Sequence, residues 1–311
     1  MKIAGYNGFH FHYEIFGYII HYCMIHAHEL TIYCHVASMN DYIELYARIF
    51  QEYPVEFKEV HSFETEAHTY DAIILFTDDD RTFPTDSQIL NNKTICIDHY
   101  YLLRRPILLH HIAVRPYSPE YARDWAFPTY PIVTNRTIEK MNDIVRIVLI
   151  GGVSRSEYCI DILNRLKCPE GKQIHLHVIR RFLNLSHFGN LDSRIQLHIH
   201  ENIPTKDVFE ICNNSDYAIT DVSCSLEYEE HTMSGAIPLY VSLLVPLILS
   251  KQTNAYYQFR NVIEFDKHST DDIVLTNVDI SLLETERESI VSRNFDVLTR
   301  VLERIRSQSL V

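Results

Sequence analysis

The sequence predicts an α/β protein of two domains, each built on a parallel β-sheet covered by helices. With 311 residues, the chain is longer than one hydrophobic core usually supports. Runs rich in Ile, Val and Tyr alternate with segments of helical period, and this alternation occurs twice. Between the two sets, residues 115–142 are polar, carry four prolines and show no sustained period, which is typical of a connector. We therefore predict one domain over residues 1–140 and a second over residues 141–311.

Each predicted domain alternates strands with helices. Short β-branched and aromatic runs predict strands in the first domain at residues 2–5, 30–36, 57–61, 72–76, 94–98 and 111–115. In the second domain they predict strands at residues 145–150, 174–179, 195–200, 217–220 and 246–249, with helices at 156–166, 206–213 and 229–243. Residues 284–306 have apolar side chains at the spacing of an amphipathic helix. We expect this last helix to pack against the body of the protein and to cross back to the first domain.

Charge and cysteine content limit the classes of partner and compartment. The net charge of −13, from 41 acidic and 28 basic residues, repels a polyanion and argues against a nucleic-acid partner. The seven cysteines are scattered and form no C-x-x-C pair, which argues against a disulfide framework or structural zinc. The N-terminus lacks a signal-peptide pattern, and the most apolar later stretch, residues 236–250, is too short to span a bilayer. We expect a soluble, cytoplasmic protein without a transmembrane segment, and its oligomeric state is left open.

Glycines follow the first predicted strand of each domain. Gly8 stands after the first strand of domain one, and Gly151-Gly152 after the first strand of domain two. A missing Cβ lets a ligand approach the backbone, and the helix N-terminus that follows offers free N–H groups to a phosphate. Ser154 and Arg155 add a hydroxyl and a guanidinium. These turns predict a diphosphate site, although neither matches G-x-G-x-x-G, and the alternative is that they only close strand-to-helix connections.

A hydroxyl-rich segment, residues 219–239, runs from a predicted strand end into a helix. Because open α/β sheets bind ligands at the carboxyl ends of their strands, the hydroxyls of Ser223, Thr232 and Ser234 are placed to reach a diphosphate. The alternative is that a serine caps the helix and that the glutamates at 227–230 favour its positive N-terminus. The segment is a second candidate for phosphate binding.

The order of these features resembles the nucleotide-sugar-binding domain of GT-B glycosyltransferases over residues 144–265. The matching pieces are, in chain order, RIVLIGG at 146–152, HLHVIRR at 175–181, NIP at 202–204, SDYAIT at 215–220 and VPLI at 245–248. The resemblance implies two Rossmann-like domains facing across a cleft, the first binding the acceptor and the second the nucleotide sugar. The residues it implies are Gly152, Ser154 and Arg155 near the donor diphosphate, Arg180 at the next strand end, Ile203 near the base, and Ser223, Thr232 and Ser234 completing the pocket.

The resemblance also implies a reaction. A UDP- or GDP-sugar would donate its sugar to a hydroxyl of a glycan or glycoconjugate. No metal cofactor is implied, because backbone amides and arginine compensate the diphosphate charge. Many retaining members carry two glutamates eight positions apart, and these positions align with His231 and Leu239, which favours inversion. A shifted register would bring Glu227, Glu229 or Glu230 into the pocket, so retention stays open. Two alternatives stay open, a nucleotide-sugar epimerase of the same fold and a non-catalytic relative.

An inverting transfer needs a base that takes the proton of the acceptor hydroxyl. The candidates in the first domain are His12 and Glu14, after the glycine turn, followed by Asp79 and Asp98 at predicted strand ends. Each also has a structural interpretation, such as a cap of the next helix. The aspartates at 78–80 suggest a metal-dependent, single-domain GT-A arrangement, but that alternative does not account for the second domain.

Histidines occur in four H-x-H pairs, at residues 10 and 12, 26 and 28, 175 and 177, and 198 and 200. In an extended strand both rings of such a pair lie on one side, which suggests a metal site. The pairs fall in separate predicted elements, however, and none has an evident third ligand. We therefore predict that they form polar faces of strands.

Overall fold

The chain forms two units, each with its own six-stranded sheet. The computed structural model describes residues 1–9, 12–84, 86–117, 123–133, 143–151, 156–180, 188, 190–220 and 233–308. Unit 1 contains Met1–Tyr130, Glu230–Gly235 and Ser289–Val311, and unit 2 contains Pro131–Glu229 and Ala236–Glu288. Both sheets are parallel throughout. The predicted α/β class with two parallel sheets is confirmed.

The sheet of unit 1 has the strand order β3-β2-β1-β4-β5-β6. Its strands are β1 (Lys2–Asn7), β2 (Glu29–Cys34), β3 (Glu56–Glu59), β4 (Ala72–Leu75), β5 (Thr94–Asp98) and β6 (His110–Ala113). The described helices between them are α1 (Phe16–Ile25), α2 (Asn40–Ile49), α3 (Phe63–Glu66) and α4 (Gln88–Asn92). Strands β4 and β5 are buried at every position, as is typical of parallel strands covered on both faces. The strand order reverses between β1 and β4, and ligands bind such sheets at the carboxyl ends beside this point.

The sheet of unit 2 has the order β10-β9-β7-β11-β12-β13. When only the six strands of each sheet are numbered along the chain, both sheets have the order 3-2-1-4-5-6. Its strands are β7 (Ile144–Ile150), β9 (Gln173–Arg180), β10 (Ile195–Glu201), β11 (Tyr217–Ile219), β12 (Leu247–Ser250) and β13 (Val262–Phe265), and β8 (Leu166–Lys167) pairs separately with β14 (Ile273–Val274). The described helices are α5 (Ser156–Asn164), α6 (Thr205–Asn213), α7 (Ala236–Ser242) and α8 (Lys251–Tyr257). One core cluster joins alternate residues of the sheet to α5.

The second part of helix α9 (Ile280–Gln308) belongs to unit 1. Asn294 Nδ2 donates to the carbonyl oxygen of Phe127 at 2.5 Å. The carboxylate of Asp124 accepts from Arg300 and Arg304 at 2.8 and 2.9 Å. The buried apolar face of α9 consists of Ile290, Val297, Leu298, Val301, Leu302 and Ile305. Unit 1 is therefore completed by residues that lie far along the chain from its sheet.

The observed strands end within two residues of the predicted ones wherever a strand was predicted. The helix predicted at 229–243 is described from Ala236 onward, because residues 221–232 lie outside the described part of the chain. Sequence patterns missed β8, β13, β14 and α8. Among the described residues, no helix combines the length and apolar character needed to cross a membrane.

Candidate active site

The loop after β1 is held by the aspartate turn that follows β4. The backbone N–H of Gly8 donates to Asp80 Oδ2, and the Gly8 carbonyl oxygen lies 3.0 Å from Nε2 of His35. The other oxygen of Asp80 accepts from the backbone N–H and the hydroxyl of Thr82, at 2.9 and 2.6 Å. The N–H of Gly8, predicted to bind a diphosphate, therefore has an internal partner. This contact favours a structural role for Gly8.

His12 and Glu14 form a pair directly after this loop. Nδ1 of His12 lies 3.6 Å from Glu14 Oε1, and the two side chains are 28% and 30% exposed. Burial raises the pKa of Glu14, but the hydrogen bond and charge of His12 outweigh this effect, so the pKa of Glu14 lies below its ordinary value. An ionised Glu14 beside Nδ1 orients the imidazole. The opposite ring nitrogen, Nε2, is then the one that can accept a substrate proton.

A segment from far along the chain lies against this pair. A Cβ on Gly235 would come within 2.8 Å of Glu14 Oε1, so the absence of a side chain lets the backbone approach the carboxylate. Ser234, a predicted donor-binding residue, is half-buried and immediately precedes Gly235. Both residues belong to unit 1. The structure thus brings Gly235, the residue after Ser234, against a predicted catalytic carboxylate, and sequence reasoning had not singled out Gly235.

His99, the residue after β5, supports the ring of His12. The two ring centroids are 4.1 Å apart, with 39° between the ring planes. His99 donates its Nε2–H to the carbonyl oxygen of Phe76 at 3.0 Å and its backbone N–H to Asp78 Oδ1 at 3.1 Å. Burial, together with the charge of His12, lowers the pKa of His99 to about 3. The ring of His99 is therefore neutral at pH 7, and it packs in a fixed position against the ring of His12.

Asp79 is paired with a cation at the surface of unit 1. Its carboxylate accepts from the guanidinium of Arg104, which lies 3.3 Å from the ring centroid of Tyr100. Arg105 donates to the backbone carbonyl oxygens of Asp78 and Asp80. Both arginines are therefore engaged with the aspartate turn. A carboxylate in an ion pair is a weak base, so this arrangement ranks Asp79 behind His12 as a proton acceptor.

Asp98, the fourth predicted catalytic residue, is completely buried. Its carboxylate oxygens lie 3.0 and 3.1 Å from Nδ1 of His111, whose Nε2 lies 3.0 Å from the carbonyl oxygen of Leu108. Burial lowers the pKa of His111, but the Asp98 carboxylate raises it more, so this pKa lies above its ordinary value. Asp98 therefore faces an internal partner, which favours a supporting role.

In unit 2, Gly151 directly follows β7 with a φ of +68°, and no atom of the described residues lies within 4 Å of the place where a Cβ would stand. Glycine adopts this left-handed conformation without strain, so the chain turns sharply after β7. The N–H of Gly151 donates to the carbonyl oxygen of Ile179 at 3.0 Å. The N–H of Ile150 donates to the hydroxyl of Tyr240, a buried residue of α7, at 2.9 Å. Sequence reasoning missed Tyr240, which anchors the start of the turn.

Arg180 and Ile203 follow two neighbouring strands of the same sheet. Arg180 ends β9 and is half-buried, and Ile203 stands two residues after β10 and is also half-buried. The N–H of Asn202 donates to the carbonyl oxygen of Arg180 at 2.9 Å. This bond ties the two strand ends together. The remaining predicted donor-binding residues lie outside the described part of the chain, namely Gly152, Ser154, Arg155, Ser223 and Thr232.

Histidines of β9 and β10 form one cluster on one face of the unit 2 sheet. His177 Nδ1 lies 3.0 Å from His200 Nε2, and His198 Nε2 lies 3.2 Å from His175 Nδ1. The His177 ring stacks on those of His198 and His200, with centroids 4.7 and 5.2 Å apart. Burial, together with the charges of the other rings, lowers the pKa of His177 to about 4. The sequence treated these histidines as two separate pairs, whereas the register of the strands joins them into one group.

No family model matches the chain, and no curated protein matches its sequence. Among solved structures, HepE of Anabaena in complex with UDP and glucose has a TM-score of 0.55 at 12% identity, with all of both chains covered. The same protein in complex with UDP-glucose has a TM-score of 0.52, again over the full length of both chains. The glycosyltransferase SnogD of Streptomyces nogalater has a TM-score of 0.47 at 11% identity, covering 98% of this chain and 94% of SnogD. This chain has the GT-B glycosyltransferase fold.

Within this GT-B fold, the predicted site residues fall at strand ends of the two sheets. In unit 1 they follow β1, β4 and β5, three adjacent strands at the reversal of strand order. In unit 2 they follow β7, β9 and β10, again three adjacent strands. These carboxyl ends are where ligands bind in open parallel sheets. Among the described candidates of unit 1, His12 and Glu14 are partly exposed and contact each other, whereas partly exposed Asp79 is paired with Arg104.

Proposed function

We propose that this protein transfers a sugar from a UDP- or GDP-linked donor to a hydroxyl of a glycan or glycoconjugate, with inversion. The observation that carries the proposal is the His12–Glu14 pair at the carboxyl end of β1 in a GT-B fold. His12 is partly exposed, has a carboxylate at Nδ1 and rests on a neutral ring. A general base has this arrangement, with one nitrogen fixed and the other directed to the substrate.

The chemistry assigned to His12 is a single proton transfer. Nε2 takes the proton of the acceptor hydroxyl while the hydroxyl oxygen forms a bond to the anomeric carbon of the donor. The bond from that carbon to the diphosphate oxygen breaks, and its electron pair leaves with the nucleoside diphosphate. Glu14 stabilises the imidazolium that forms, because its carboxylate stands beside Nδ1.

The donor is proposed to bind at the strand ends of unit 2. HepE, which shares the fold, was solved with UDP and with UDP-glucose, and this supports a uridine or similar donor here. Gly151 turns the chain after β7 without a side chain that would hinder a ligand, and Arg180 stands at the end of β9. Backbone N–H groups and arginine can compensate a diphosphate without a metal, so we propose metal-independent transfer.

Nucleotide binding is expected to stabilise the protein. At about 100 times Kd, a ligand that binds only the folded state adds about 2.7 kcal/mol, and in a domain of this size each kcal/mol raises Tm by about 2–4 °C. A thermal-shift series with UDP, GDP, UDP-glucose and GDP-mannose should therefore show one nucleotide class that raises Tm. Arg180→Ala should weaken this effect. Arg194→Ala is the matched control, since Arg194 is an exposed arginine of unit 2 paired with Asp192.

Turnover separates transfer from the other activities of this fold. We expect free nucleoside diphosphate to accumulate only when an acceptor is supplied together with the preferred donor. Conversion of the donor sugar without an acceptor would identify an epimerase. Donor binding with no turnover across a broad acceptor panel would identify a non-catalytic binding protein. A flat thermal-shift panel, with equal Tm for every nucleotide, would overturn the donor site itself.

A further inference from the structure

Three metal-binding side chains meet where β5 and β6 run side by side. Cys96 and His111 are direct partners in the strand register, and Asp98 stands two residues after Cys96, so its side chain lies on the same face. One potential ligand atom from each residue lies within 4.8 Å of the other two. Cys96 and Asp98 are fully buried, and the side chain of His111 is 13% exposed. Thiolate, imidazole and carboxylate are the three ligand types that zinc takes in proteins.

The orientation of His111 suits a metal ligand. Its Nε2 lies 3.0 Å from the carbonyl oxygen of Leu108, and because a carbonyl oxygen only accepts, Nε2 carries the hydrogen. Nδ1 then faces the Asp98 carboxylate at 3.0 and 3.1 Å. A backbone carbonyl that fixes the distal N–H and directs the other nitrogen inward is the usual outer shell of a zinc-binding histidine.

Asp78, whose charge interacts with that of Asp98, has a buried carboxylate oxygen that lacks a hydrogen-bond partner among the described residues. Asp78 is 2% exposed, its Oδ1 accepts from the backbone N–H of His99, and no donor from the described part of the chain reaches its Oδ2. Two guanidinium groups at the aspartate turn have other partners, Arg104 with Asp79 and Arg105 with the backbone carbonyl oxygens of Asp78 and Asp80. A buried polar atom of this kind is costly unless an ion or water satisfies it.

We propose that Cys96, Asp98 and His111 bind one Zn²⁺ ion, with a water molecule in its fourth position and the Asp78 carboxylate as a further negative charge that interacts with Asp98. The thiol and carboxylate together favour zinc over Mg²⁺ or Ca²⁺, which take oxygen ligands. Binding exchanges the Cys96 thiol proton and the His111 Nδ1 proton for one divalent cation. The site with zinc bound therefore has the same net charge as the metal-free site that carries the two protons. The metal adds no unbalanced charge to the buried site.

The proposed ion is structural and independent of the proposed sugar transfer. The ion would join the end of β5 to β6. The residue after Asp98 is His99, whose ring packs against the ring of His12. The sequence argued against structural zinc because no C-x-x-C pair is present. That argument does not apply to ligands that the register of two parallel strands brings together. Such ligands are as far apart along the chain as the two strands, so they need not form a C-x-x-C motif.

The test is metal analysis of the full-length protein produced with zinc in the medium and then desalted. Elemental analysis should find about one zinc per chain, and the Cys96→Ser and His111→Gln variants should lose most of it. Cys34→Ser is the matched control, because Cys34 is another fully buried cysteine of the same sheet whose thiol contacts Met39. This control should retain the metal.

Cobalt substitution gives a readout that does not depend on how the variants fold. Co²⁺ added to the metal-depleted wild-type protein should produce a thiolate-to-cobalt charge-transfer band in the near ultraviolet, and Zn²⁺ should abolish it. The band should persist in Cys34→Ser. If wild-type protein holds less than about a tenth of an equivalent of zinc and gives no band with Co²⁺, the proposal fails, and Asp98–His111 is an internal ion pair only.

Discussion

Asparagine in place of His12 is expected to lower turnover by about 10²–10⁴-fold, because the acceptor hydroxyl then loses its base. Donor affinity should stay within about threefold of wild type, since His12 belongs to unit 1, whereas Gly151 and Arg180, on which the proposed donor site is argued, belong to unit 2. Asparagine is the suitable replacement because His12 has a φ of 64°, and Asn tolerates the left-handed region better than most residues. The substitution therefore adds little backbone strain, and a loss of turnover reports on the missing base and not on a loss of stability.

The measurement is the rate of nucleoside diphosphate release at saturating donor and acceptor, with donor Kd determined separately by calorimetry. His68→Asn is the control, because His68 is an exposed histidine of the same unit. If His12→Asn turns over within about threefold of wild type, His12 is not the base. Glu14 and Asp79 would then be the remaining partly exposed candidates of unit 1.

Acid is expected to destabilise unit 2 through its histidine cluster. Burial and the neighbouring rings depress the folded-state pKa of His175, His177 and His200. A depressed pKa means that the contribution to stability is complete above the unfolded value of about 6.5 and is lost as the pH falls toward the folded value. For His177 that window runs from about 6.5 to about 4. Arg146 of β7 adds to the effect, since its charge also disfavours protonation.

The expected loss from His177 alone is about 2 kcal/mol between pH 7 and pH 4.5, after allowance for its partial solvent contact. Urea unfolding at a series of pH values, followed by hydrogen exchange of β9 and β10 amides, measures it. His177→Gln should flatten the pH dependence of those amides, whereas His61→Gln, at an exposed site of unit 1, should leave it unchanged. Equal slopes for wild type and His177→Gln would show that the cluster does not couple to stability.

Local patterns were sufficient to predict most of both sheets. Thr94–Asp98 is a continuous apolar run closed by an aspartate, and the predicted and observed strands coincide residue for residue. The strand β13 was missed because Val262–Phe265 has only four residues and Glu264 interrupts its apolar run, so the sequence pattern does not mark where a strand begins or ends. The two-residue strands β8 and β14 have no pattern of their own. They form only because the fold brings them together.

The candidate site was predictable only in part, since much of it depends on register. The sequence alone identified His12 and Glu14 as separate candidates for the base, and the structure places their side chains beside each other. His99 and Gly235 meet that pair from distant segments, and no local pattern announces either contact. The same reason explains Asp98, which was predicted at a ligand-binding strand end. The side chain of Asp98 faces His111 instead, because the register of β5 and β6 places His111 opposite Cys96, on the same face as Asp98.

The placement of α9 has a consequence for how the protein is made. Synthesis releases the six strands of the first sheet early, yet Asn294, Arg300 and Arg304, which bond to Phe127 and Asp124, leave the ribosome only after the residues of unit 2. The residues of unit 2 end at Glu288, so all of unit 2 has emerged before these contacts can form. Domains usually complete folding in the order of their synthesis. In this nascent chain the order is reversed, and unit 1 waits for the final helix before its apolar surface is covered.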